Sequence, residues 1–371
     1  MMEFRAHSSI RAIAQAEWDA CFPGDPEGWA YYEAVERSGL PGFTLLVFEV
    51  HRDGIPVVVV PGFITEYRLD TTVQGVWKTL LRPLAPLLTL RLLGLGSPAA
   101  DKCHLGFAIG LGAEERALAL AVLLSGLDGF AATKGIGLLA VKDLAEEDAS
   151  EAVLDAFAAQ GFSRQPSLPN AVLPLPFAHE EAYLASLSKP TRKDIRRKLK
   201  TESALEIQVL RGSQALDHVA AMLALYEQQR ARSGVDFEQF EQLTPDYFRN
   251  VLTGLGERAL VFLYRAEGRL AGFNLCLEGQ GRFIDKFIGL DHDLARRYDL
   301  YVVSWMTNLR HCLAHGIPLL QTGQTAYAMK RRLGSLLPPN WLLFRHRNGV
   351  LNRILRLAGP LLAADRWDES L

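Results

Sequence analysis

The feature that most constrains the fold is a repeat, because both halves of the chain place the same elements in the same order. Each half has two amphipathic helical patterns, a pair of β-rich runs, a long helix and a buried strand. In the first half these elements are predicted at 10–22, 27–38, 43–63, 113–134 and 136–141. In the second half they are predicted at 213–233, 244–255, 259–278, 293–315 and 317–321. This order favours a duplicated unit, although α/β proteins also reuse such segments by chance.

Each pair of β-rich runs surrounds a turn signal. Asp53-Gly54, a dipeptide typical of tight hairpins, separates the first pair, and a turn at Glu267-Gly268 separates the second. A further strand is predicted at 282–290 in the second half. Hairpins followed by a helix and a strand predict an α/β (α+β) fold, with mixed, mostly antiparallel sheets flanked by helices.

The chain has 371 residues, enough for two domains of ordinary size. We place the domains at 1–165 and 166–371, since the segment 162–177 is rich in Pro and Ser and suits a linker. The segment 66–107 has no counterpart in the second half and is predicted to be an insertion. The second domain is expected to carry the active site.

The overall charge and the cysteines point to an ordinary soluble protein. The formal net charge of −2 indicates neither a nucleic-acid nor a membrane partner for the chain as a whole. The four cysteines lie far apart without metal-ligand spacing, and they are expected to be core thiols in a reducing compartment. The charged first twenty residues do not suit a signal peptide, so a cytoplasmic location is expected.

The most apolar stretch, Val76 to Leu95, is not expected to span a membrane. It contains three basic residues and two prolines, which a spanning helix tolerates poorly. A helix packed on the core is the preferred interpretation, and an interfacial membrane helix is the alternative. No integral membrane span is therefore predicted.

A basic helix follows the linker. Pro190 suits its first turn and Ser188 its N-cap. Four cations fall in its first turns: Arg192, Lys193, Arg196 and Arg197. Positive charge at this end opposes the helix dipole, so an external anion such as a phosphate is expected to offset it. A solvated face paired with acidic neighbours such as Glu180 and Glu181 is the alternative.

Charged residues also interrupt the apolar strand at 282–290. Asp285 and Lys286 are adjacent in its centre, so alternation sends them to opposite faces and one must face inward. A buried charge is costly unless it is paired or used. Asp285 is a candidate general base, and an edge-strand salt bridge is the alternative.

The segment after the last predicted strand supplies further candidates. Ligands of α/β proteins gather where strands end, and Gln324, Thr325 and Tyr327 lie just beyond such an end. Lys330 follows one turn later and is expected to stabilise an oxyanion or bind a phosphate. Its removal should then reduce turnover far more than stability. A solvated helix end is the alternative.

No metal site is predicted. His311 and His315 share a helix face at a spacing that suits a metal, but no third ligand is evident. Motifs for nucleotide loops, zinc hydrolases and nucleophilic hydrolases are absent from the sequence as well. Chemistry without a covalent enzyme intermediate fits this absence.

Four segments together resemble the GNAT superfamily of acyl-CoA N-acyltransferases, in its tandem-domain branch related to the Fem aminoacyl transferases. They read EWDACFPGDPEGWAYYEAVERSG at 17–39, RKDIRRKLK at 192–200, FIGLDHDLARRYDLYVVSW at 287–305 and GQTAYAMKRRLG at 323–334. The resemblance implies two GNAT-like domains and transfer of an acyl group to an amine. It also implies that the basic helix lies near substrate phosphates. Met329-Lys330 with Gly334 resembles a Phe-Lys pair followed by Gly in the Fem group.

One departure concerns the acyl donor. Acetyl-CoA enzymes of the superfamily cradle the pyrophosphate with a glycine-rich loop, and the matching segment at 291–301 has no glycine. Arg296 and Arg297 are expected to contact phosphates instead. The Fem group lacks this loop as well, because its donor is an aminoacyl-tRNA.

The predicted function is an N-acyltransferase that moves an acyl group from a thioester donor to a small-molecule amine by direct attack. The donor is acyl-CoA or an acyl carrier protein, used as a co-substrate without any permanently bound cofactor. One alternative is a Fem-like aminoacyl-tRNA-dependent transferase. Another is a degenerate, non-enzymatic GNAT fold that serves as a binding or membrane-peripheral protein. The sequence does not predict an oligomeric state.

Overall fold

A computed structural model describes residues 1–68, 89–232, 240 and 242–359. Its strands, in chain order, are β1 Met2–His7, β2 Phe43–Arg52, β3 Ile55–Arg68, β4 Thr89–Leu95, β5 Gly106–Phe107, β6 Leu138–Ala145, β7 Ser163–Ser167, β8 Val172–Pro174, β9 Glu206–Arg211, β10 Ala259–Ala266, β11 Arg269–Glu278, β12 Phe283–Leu290, β13 Leu319–Gln321 and β14 Asn340–His346. They form two mixed sheets, which confirms the predicted fold class.

The helices lie between the sheets and on their outer faces. They are α1 Gln15–Cys21, α2 Trp29–Arg37, α3 Ala113–Thr133, α4 Glu151–Ala159, α5 Glu180–Ser186, α6 Lys189–Lys198, α7 Val219–Arg232, α8 Pro245–Leu255, α9 His292–Arg297, α10 Leu300–Ala314, α11 Tyr327–Arg332 and α12 Gly349–Ala358. By length and composition alone, α3 is the one helix of the described residues that could cross a membrane, and core helices meet the same criterion. Six of its side chains are buried, and they pack on the first sheet.

The two sheets have matching strand orders. The first runs β1-β2-β3-β4-β6-β14-β7, with β5 beside β3, and the second runs β9-β10-β11-β12-β13-β8 when read in the same sense. Each sheet has one parallel pair near its centre. This pair is β4 with β6 in the first sheet and β12 with β13 in the second. Both hairpins turn through two residues with positive φ, Asp53-Gly54 and Glu267-Gly268, as the sequence predicts.

The segment 89–95 corrects one prediction. We predicted a helix across Val76 to Leu95, but Thr89–Leu95 is the strand β4, which occupies the same place in the first sheet as β12 in the second. Leu92, Leu93 and Leu95 are buried, and a short apolar run of this kind suits a strand covered on both faces. The predicted insertion at 66–107 therefore contains a strand of the repeated unit. Residues 69–88 lie outside the described residues.

Two strands connect the halves. The C-terminal strand β14 lies in the first sheet between β6 and β7, while β8 follows β7 in sequence and joins β13 in the second sheet. The predicted domain boundary at 165/166 falls inside β7 and stays a prediction.

A shared core also joins the halves. Helices α1 and α2 pack against α7 and α8 in one hydrophobic cluster that includes inner residues of both sheets. The hydroxyls of Tyr31 and Tyr247 lie 2.9 Å apart in this core, and Tyr31 donates to the carbonyl of Ala99. Helices α5, α6 and α10 cover the other face of the second sheet. The second sheet is therefore buried on both faces, with its centre at the strands that bear the candidate site.

Candidate active site

The site lies where β12 and β13 part. The two strands pair in parallel at only two positions, Phe283 with Leu320 and Ile284 with Gln321. Beyond Ile284, no strand among the described residues pairs with this edge of β12. On its other edge β12 has a bulge opposite Leu275 and Cys276, where Lys286 is the extra residue. A bulge bends the strand and redirects side chains, and bulges are common beside active sites.

Asp285 lies at this point on the α10 side of the sheet. Its Oδ1 accepts a hydrogen bond of 2.8 Å from Asn274 Nδ2, and Cys276 Sγ lies 3.8 Å from the same oxygen. Cys276 Sγ also lies 3.7 Å from Asn308 Oδ1 on α10. Burial raises the pKa of Asp285 from its usual 3.8 to about 6, against the opposing effects of the Asn274 hydrogen bond and the charge of Lys330.

The Asp285 cluster (Asn274, Cys276, Asp285 and Asn308) has unused hydrogen-bonding capacity. Asn274 and Asn308 are fully buried, and Oδ1 of Asn274 has no hydrogen-bond partner in the described part of the chain, while the side chain of Asn308 lies close enough to Asp285 to lower its pKa. Buried polar atoms without a partner are rare in folded proteins and require an explanation. The Oδ1 of Asn274 therefore offers an unused acceptor beside a carboxyl group whose pKa is raised to about 6.

Lys286 faces the opposite side and joins the two halves. Its Nζ lies 2.7 Å from Glu27 Oε1 and 2.9 Å from Asp101 Oδ1, and the side chains of Lys286 and Glu27 are only 1% exposed. Asp101 Oδ2 accepts a hydrogen bond from Gln321 on β13. Burial raises the pKa of Glu27, while the charge of Lys286 holds the pKa of Asp101 low despite its burial. We call these four residues the Lys286 network.

Lys330 is buried and holds the loop after β13. Its Nζ donates to the carbonyls of Thr322, Gly323 and Gln324 at 2.6, 3.1 and 2.9 Å. Burial lowers its pKa from 10.5 to about 8. An ammonium group has three N–H donors, and these three carbonyls use them all. In this conformation no donor of Lys330 is left for an oxyanion, so its catalytic role stays a prediction beside a clear structural one.

The basic helix α6 packs beside α11. Ser188 accepts a hydrogen bond from the Thr191 N–H as the N-cap, and Pro190 lies in the first turn, both as predicted. Arg332 of α11 contacts Asp194 of α6 at 3.0 Å. The predicted phosphate-binding helix and the Lys330 segment are thus neighbours.

The cations of α6 divide into two groups. Arg196 pairs with Glu181 at 2.6 Å and Arg197 with Asp194 at 2.8 Å, as in the alternative of a paired basic face. Arg192 donates to the carbonyl of Ala185, and neither it nor Lys193 has an ion pair among the described residues. Phosphate binding stays a prediction for all four, with Arg192 and Lys193 the better placed.

The remaining predicted ligands occupy varied positions. Tyr327 is buried and donates to the carbonyl of Pro169, and Gln324 donates to that of Leu168. Thr325 is exposed, with a φ of +69°. Arg296 lies in the last turn of α9 without an ion pair in the described chain, whereas Arg297 beside it pairs with Glu267. Substrate binding by these predicted ligands stays a prediction, and the hydroxyl of Tyr327 already has a partner.

At the start of α9, an aspartate cap stands where the superfamily's acetyl-CoA enzymes have a glycine-rich loop. Asp291 is its N-cap, and Oδ1 accepts the N–H groups of Asp293 and Leu294 at 3.1 and 3.0 Å. These are the donors that a pyrophosphate would use at a helix N-terminus. The carboxylate of Asp291 therefore occupies them and repels a second anion.

The paired histidines lie outside the Asp285 cluster, and Cys276 is the one cysteine of the described residues that belongs to it. His311 contacts Glu278 at 2.8 Å and stacks on His315, and no group of three potential metal ligands is present in the described ranges. The four cysteines are buried and unpaired.

Sequence reasoning missed Glu27 and Asp101. They belong to the first half, whereas all the predicted site residues lie in the second. One signal was available, because a lysine in the middle of a buried strand requires carboxylate partners.

Residues 189–331 match the family model of the acetyltransferase (GNAT) domain. The whole fold is similar to that of FemX, with 14% identity, a TM-score of 0.63, and coverage of 95% of this chain and 100% of that chain. A tandem GNAT protein from the clavulanic acid biosynthesis pathway is also 14% identical, with a TM-score of 0.54 and coverage of 93% and 98%. L-PGS from Bacillus licheniformis is 8% identical, with a TM-score of 0.53 and coverage of 82% and 85%. No curated protein matches this sequence significantly.

Proposed function

We propose that this chain, a tandem GNAT-fold protein of the Fem-related branch with a GNAT acyltransferase domain at 189–331, transfers an acyl group from a thioester to an amine. The single observation that carries the proposal is the divergence of β12 from β13 beside Asp285. It combines an open strand edge with a carboxyl group suited to accept a proton. We further propose a cytoplasmic location, in keeping with buried, unpaired cysteines.

The open edge of β12 favours a donor that carries amide groups. Residues 285–290 offer backbone N–H and C=O groups on the side from which β13 has departed. An extended ligand adds to such an edge through main-chain hydrogen bonds. The pantetheine arm shared by CoA and carrier proteins is extended and has amide groups, whereas the ester of an aminoacyl-tRNA has no such arm.

Asp285 is the proposed base. As the amine nitrogen attacks the thioester carbonyl, it forms the C–N bond and gives a proton to Asp285. Collapse of the tetrahedral intermediate breaks the C–S bond, and the departing sulfur takes up the proton. A pKa of about 6 leaves Asp285 largely ionised at neutral pH and only modestly basic, which suits a group that accepts and then returns a proton.

Asp291 distinguishes between the two thioester donors. If free acyl-CoA bound as in the superfamily's acetyl-CoA enzymes, its pyrophosphate would meet the carboxylate of Asp291, which already holds the N–H groups of α9. A carrier protein brings a single phosphate, attached to its own surface. The cap at Asp291 therefore favours carrier protein over free acyl-CoA.

An aminoacyl-tRNA-dependent reaction is the second candidate. The similarity to FemX covers nearly the whole chain, and the occupied α9 terminus fits a donor without a pyrophosphate at this point. Arg192 and Lys193 on α6 would then contact the RNA backbone, and binding should weaken steeply with salt.

The donor can be tested by thermal stability. Acetyl-CoA, long-chain acyl-CoA, acylated holo carrier protein and aminoacyl-tRNA are added to the full chain separately. A donor present at about a hundred times its Kd should stabilise the fold by ~2.7 kcal/mol and raise the melting temperature. We expect the carrier protein to act at the lowest concentration. A shift with aminoacyl-tRNA alone would replace the thioester proposal by the second candidate.

The base is tested with Asp285→Asn, using the donor that binds. Thiol release with a panel of amines should fall by about 10²–10⁴-fold, while the donor-induced thermal shift is retained. Asp246→Asn, on an exposed carboxylate of α8, is the matched control and should leave both measurements unchanged. Undiminished turnover in Asp285→Asn would exclude Asp285 as the base.

A further inference from the structure

The solvent-facing side of α12 is unusual among the described surfaces. Four large apolar side chains project from it in succession: Val350, Leu351, Ile354 and Leu357, which are 71%, 42%, 53% and 74% exposed. The other exposed large apolar residues, such as Ile55, Ile109 and Leu118, are scattered over several elements. Scattered apolar residues need no explanation, whereas a contiguous patch marks a contact surface.

The inner side of α12 is firmly attached to the first sheet. Asn352 accepts a hydrogen bond from the N–H of His346 and donates to the carbonyl of Gly161. Leu355 packs into a cluster with Phe63 and Leu92. The helix is thus held along one side, and the apolar sector is not the side that anchors it.

Charge identifies the partner. The sequence of α12, GVLNRILRLA, contains two arginines and no acidic residue. At 100° per residue, Arg353 and Arg356 lie on one flank of the apolar sector, between it and the buried side. Both are exposed, and neither has an ion pair within the described ranges. A helix with an apolar sector and a basic flank is the type that lies in the surface of an anionic bilayer.

We propose that α12 docks this protein on anionic lipid membranes. Val350, Ile354 and Leu357 enter the boundary between headgroups and acyl chains, while Arg353 and Arg356 contact lipid phosphates. The long stems of the arginines let their charged ends reach the headgroups while the helix lies flat. The contact is peripheral and independent of the acyltransferase chemistry, so it stands or falls separately from the proposed function.

The test is co-sedimentation of the full chain with vesicles. One set contains equal parts of phosphatidylglycerol and phosphatidylcholine, and the other contains phosphatidylcholine alone. The wild type should bind the anionic vesicles more tightly, and added salt should weaken this binding. The triple variant Val350→Ser/Ile354→Ser/Leu357→Ser should lose about tenfold or more in affinity, since burial of one such side chain alone is worth roughly that factor.

A matched triple variant serves as the control. Ile55→Ser/Ile109→Ser/Leu118→Ser removes the same number of large apolar groups at 57–78% exposure from other elements, and it should bind as the wild type does. Arg353→Gln/Arg356→Gln should reduce binding to the anionic vesicles and leave the weak binding to phosphatidylcholine unchanged. Both α12 variants should keep the wild-type melting temperature, because these side chains face solvent.

Several results would overturn the proposal. One is a wild type that does not bind anionic vesicles, and another is an α12 triple variant that binds as the wild type does. A dimer in light scattering that the α12 triple variant dissociates would assign the surface to a second copy of the chain. If the wild type does not bind vesicles and the α12 triple variant melts at a much lower temperature, the chain itself covers this face.

Discussion

Replacing Lys286 with Met tests whether the Lys286 network holds the two halves together. The substitution preserves much of the side chain's length but removes the ammonium group that lies within 3 Å of Glu27 and Asp101. Two carboxylates from the first half then face the buried centre of β12 without a counterion. Breaking a buried pair in this way costs about 3–5 kcal/mol.

The free-energy cost of protonating Glu27 gives an independent estimate of this destabilisation. Burial already raises the pKa of Glu27, so without Lys286 this carboxyl group should take up a proton rather than remain charged. From its usual pKa of 4.5, protonation at pH 7 costs about 3 kcal/mol, at ~1.4 kcal/mol for each pH unit. At pH 5 the same step costs less than about 1 kcal/mol. The destabilisation should therefore shrink markedly between pH 7 and pH 5.

Urea unfolding of the wild type and Lys286→Met at both pH values measures this difference. Lys193→Met, the same change on the exposed face of α6, should stay within about 0.5 kcal/mol of the wild type. The double variant Glu27→Gln/Lys286→Met should regain at least about 1 kcal/mol at pH 7, because it removes one stranded charge. A cost below about 1 kcal/mol at pH 7, or one that is equal at pH 5, would refute this reasoning.

Two further predictions concern Asp285 and Lys330. The raised pKa of Asp285 means that the folded state favours its protonated form, so this contribution is complete below pH 3.8 and is lost as the pH rises through about 6. Asp285→Asn should therefore gain about 2–3 kcal/mol relative to the wild type between pH 4 and pH 7 in urea unfolding, and an unchanged difference would contradict the assignment. Lys330→Met leaves three carbonyls of the loop 322–324 without their donor, so we expect a loss of about 3–5 kcal/mol together with any loss of turnover. Wild-type stability in this variant would show that the loop does not depend on Lys330.

The hairpins were predictable because their information is local. Asp53, Gly54 and Gly268 are residue types that tolerate the positive φ angles of the two turns, and the flanking runs are rich in β-formers. Glu267 adopts the same conformation although its residue type does not favour it. The strands β1, β9 and β14 were missed. The first two are short edge strands of six residues each, and β14 pairs with β6, far away in sequence. Propensity carries no information about such distant pairing.

The long helix predicted at 293–315 shows the same limit. It is divided into α9 and α10 at Asp299, which has a φ of +51°. The apolar periodicity continues through the break, so the pattern alone does not reveal it. The adjacent backbone is fixed from a distance, since Thr201 donates a hydrogen bond to the carbonyl of Tyr298.

Only part of the candidate site could be predicted, because some of its contacts join residues that are far apart in the sequence. A charged pair in the centre of a buried strand is visible in the sequence, and it drew attention to Asp285 and Lys286. Asp101, however, lies 185 residues before Lys286, and nothing near it in sequence distinguishes it from a surface carboxylate. Lys330 was recognised as important, but its partners are backbone carbonyls, which no residue pattern encodes.

Asp291 gives a physical meaning to the absence of glycine from the segment 291–301. A glycine-rich loop leaves the first N–H groups of the following helix free for a pyrophosphate, whereas here a carboxylate from the chain has taken that place. Under the proposed function, recognition of the donor would then depend on other contacts. The structure offers the open edge of β12 for an extended arm, and Arg192 and Lys193 for a phosphate. Under the proposed function, a carrier-bound donor, whose only phosphate lies at the end of its arm, should therefore be preferred over free CoA.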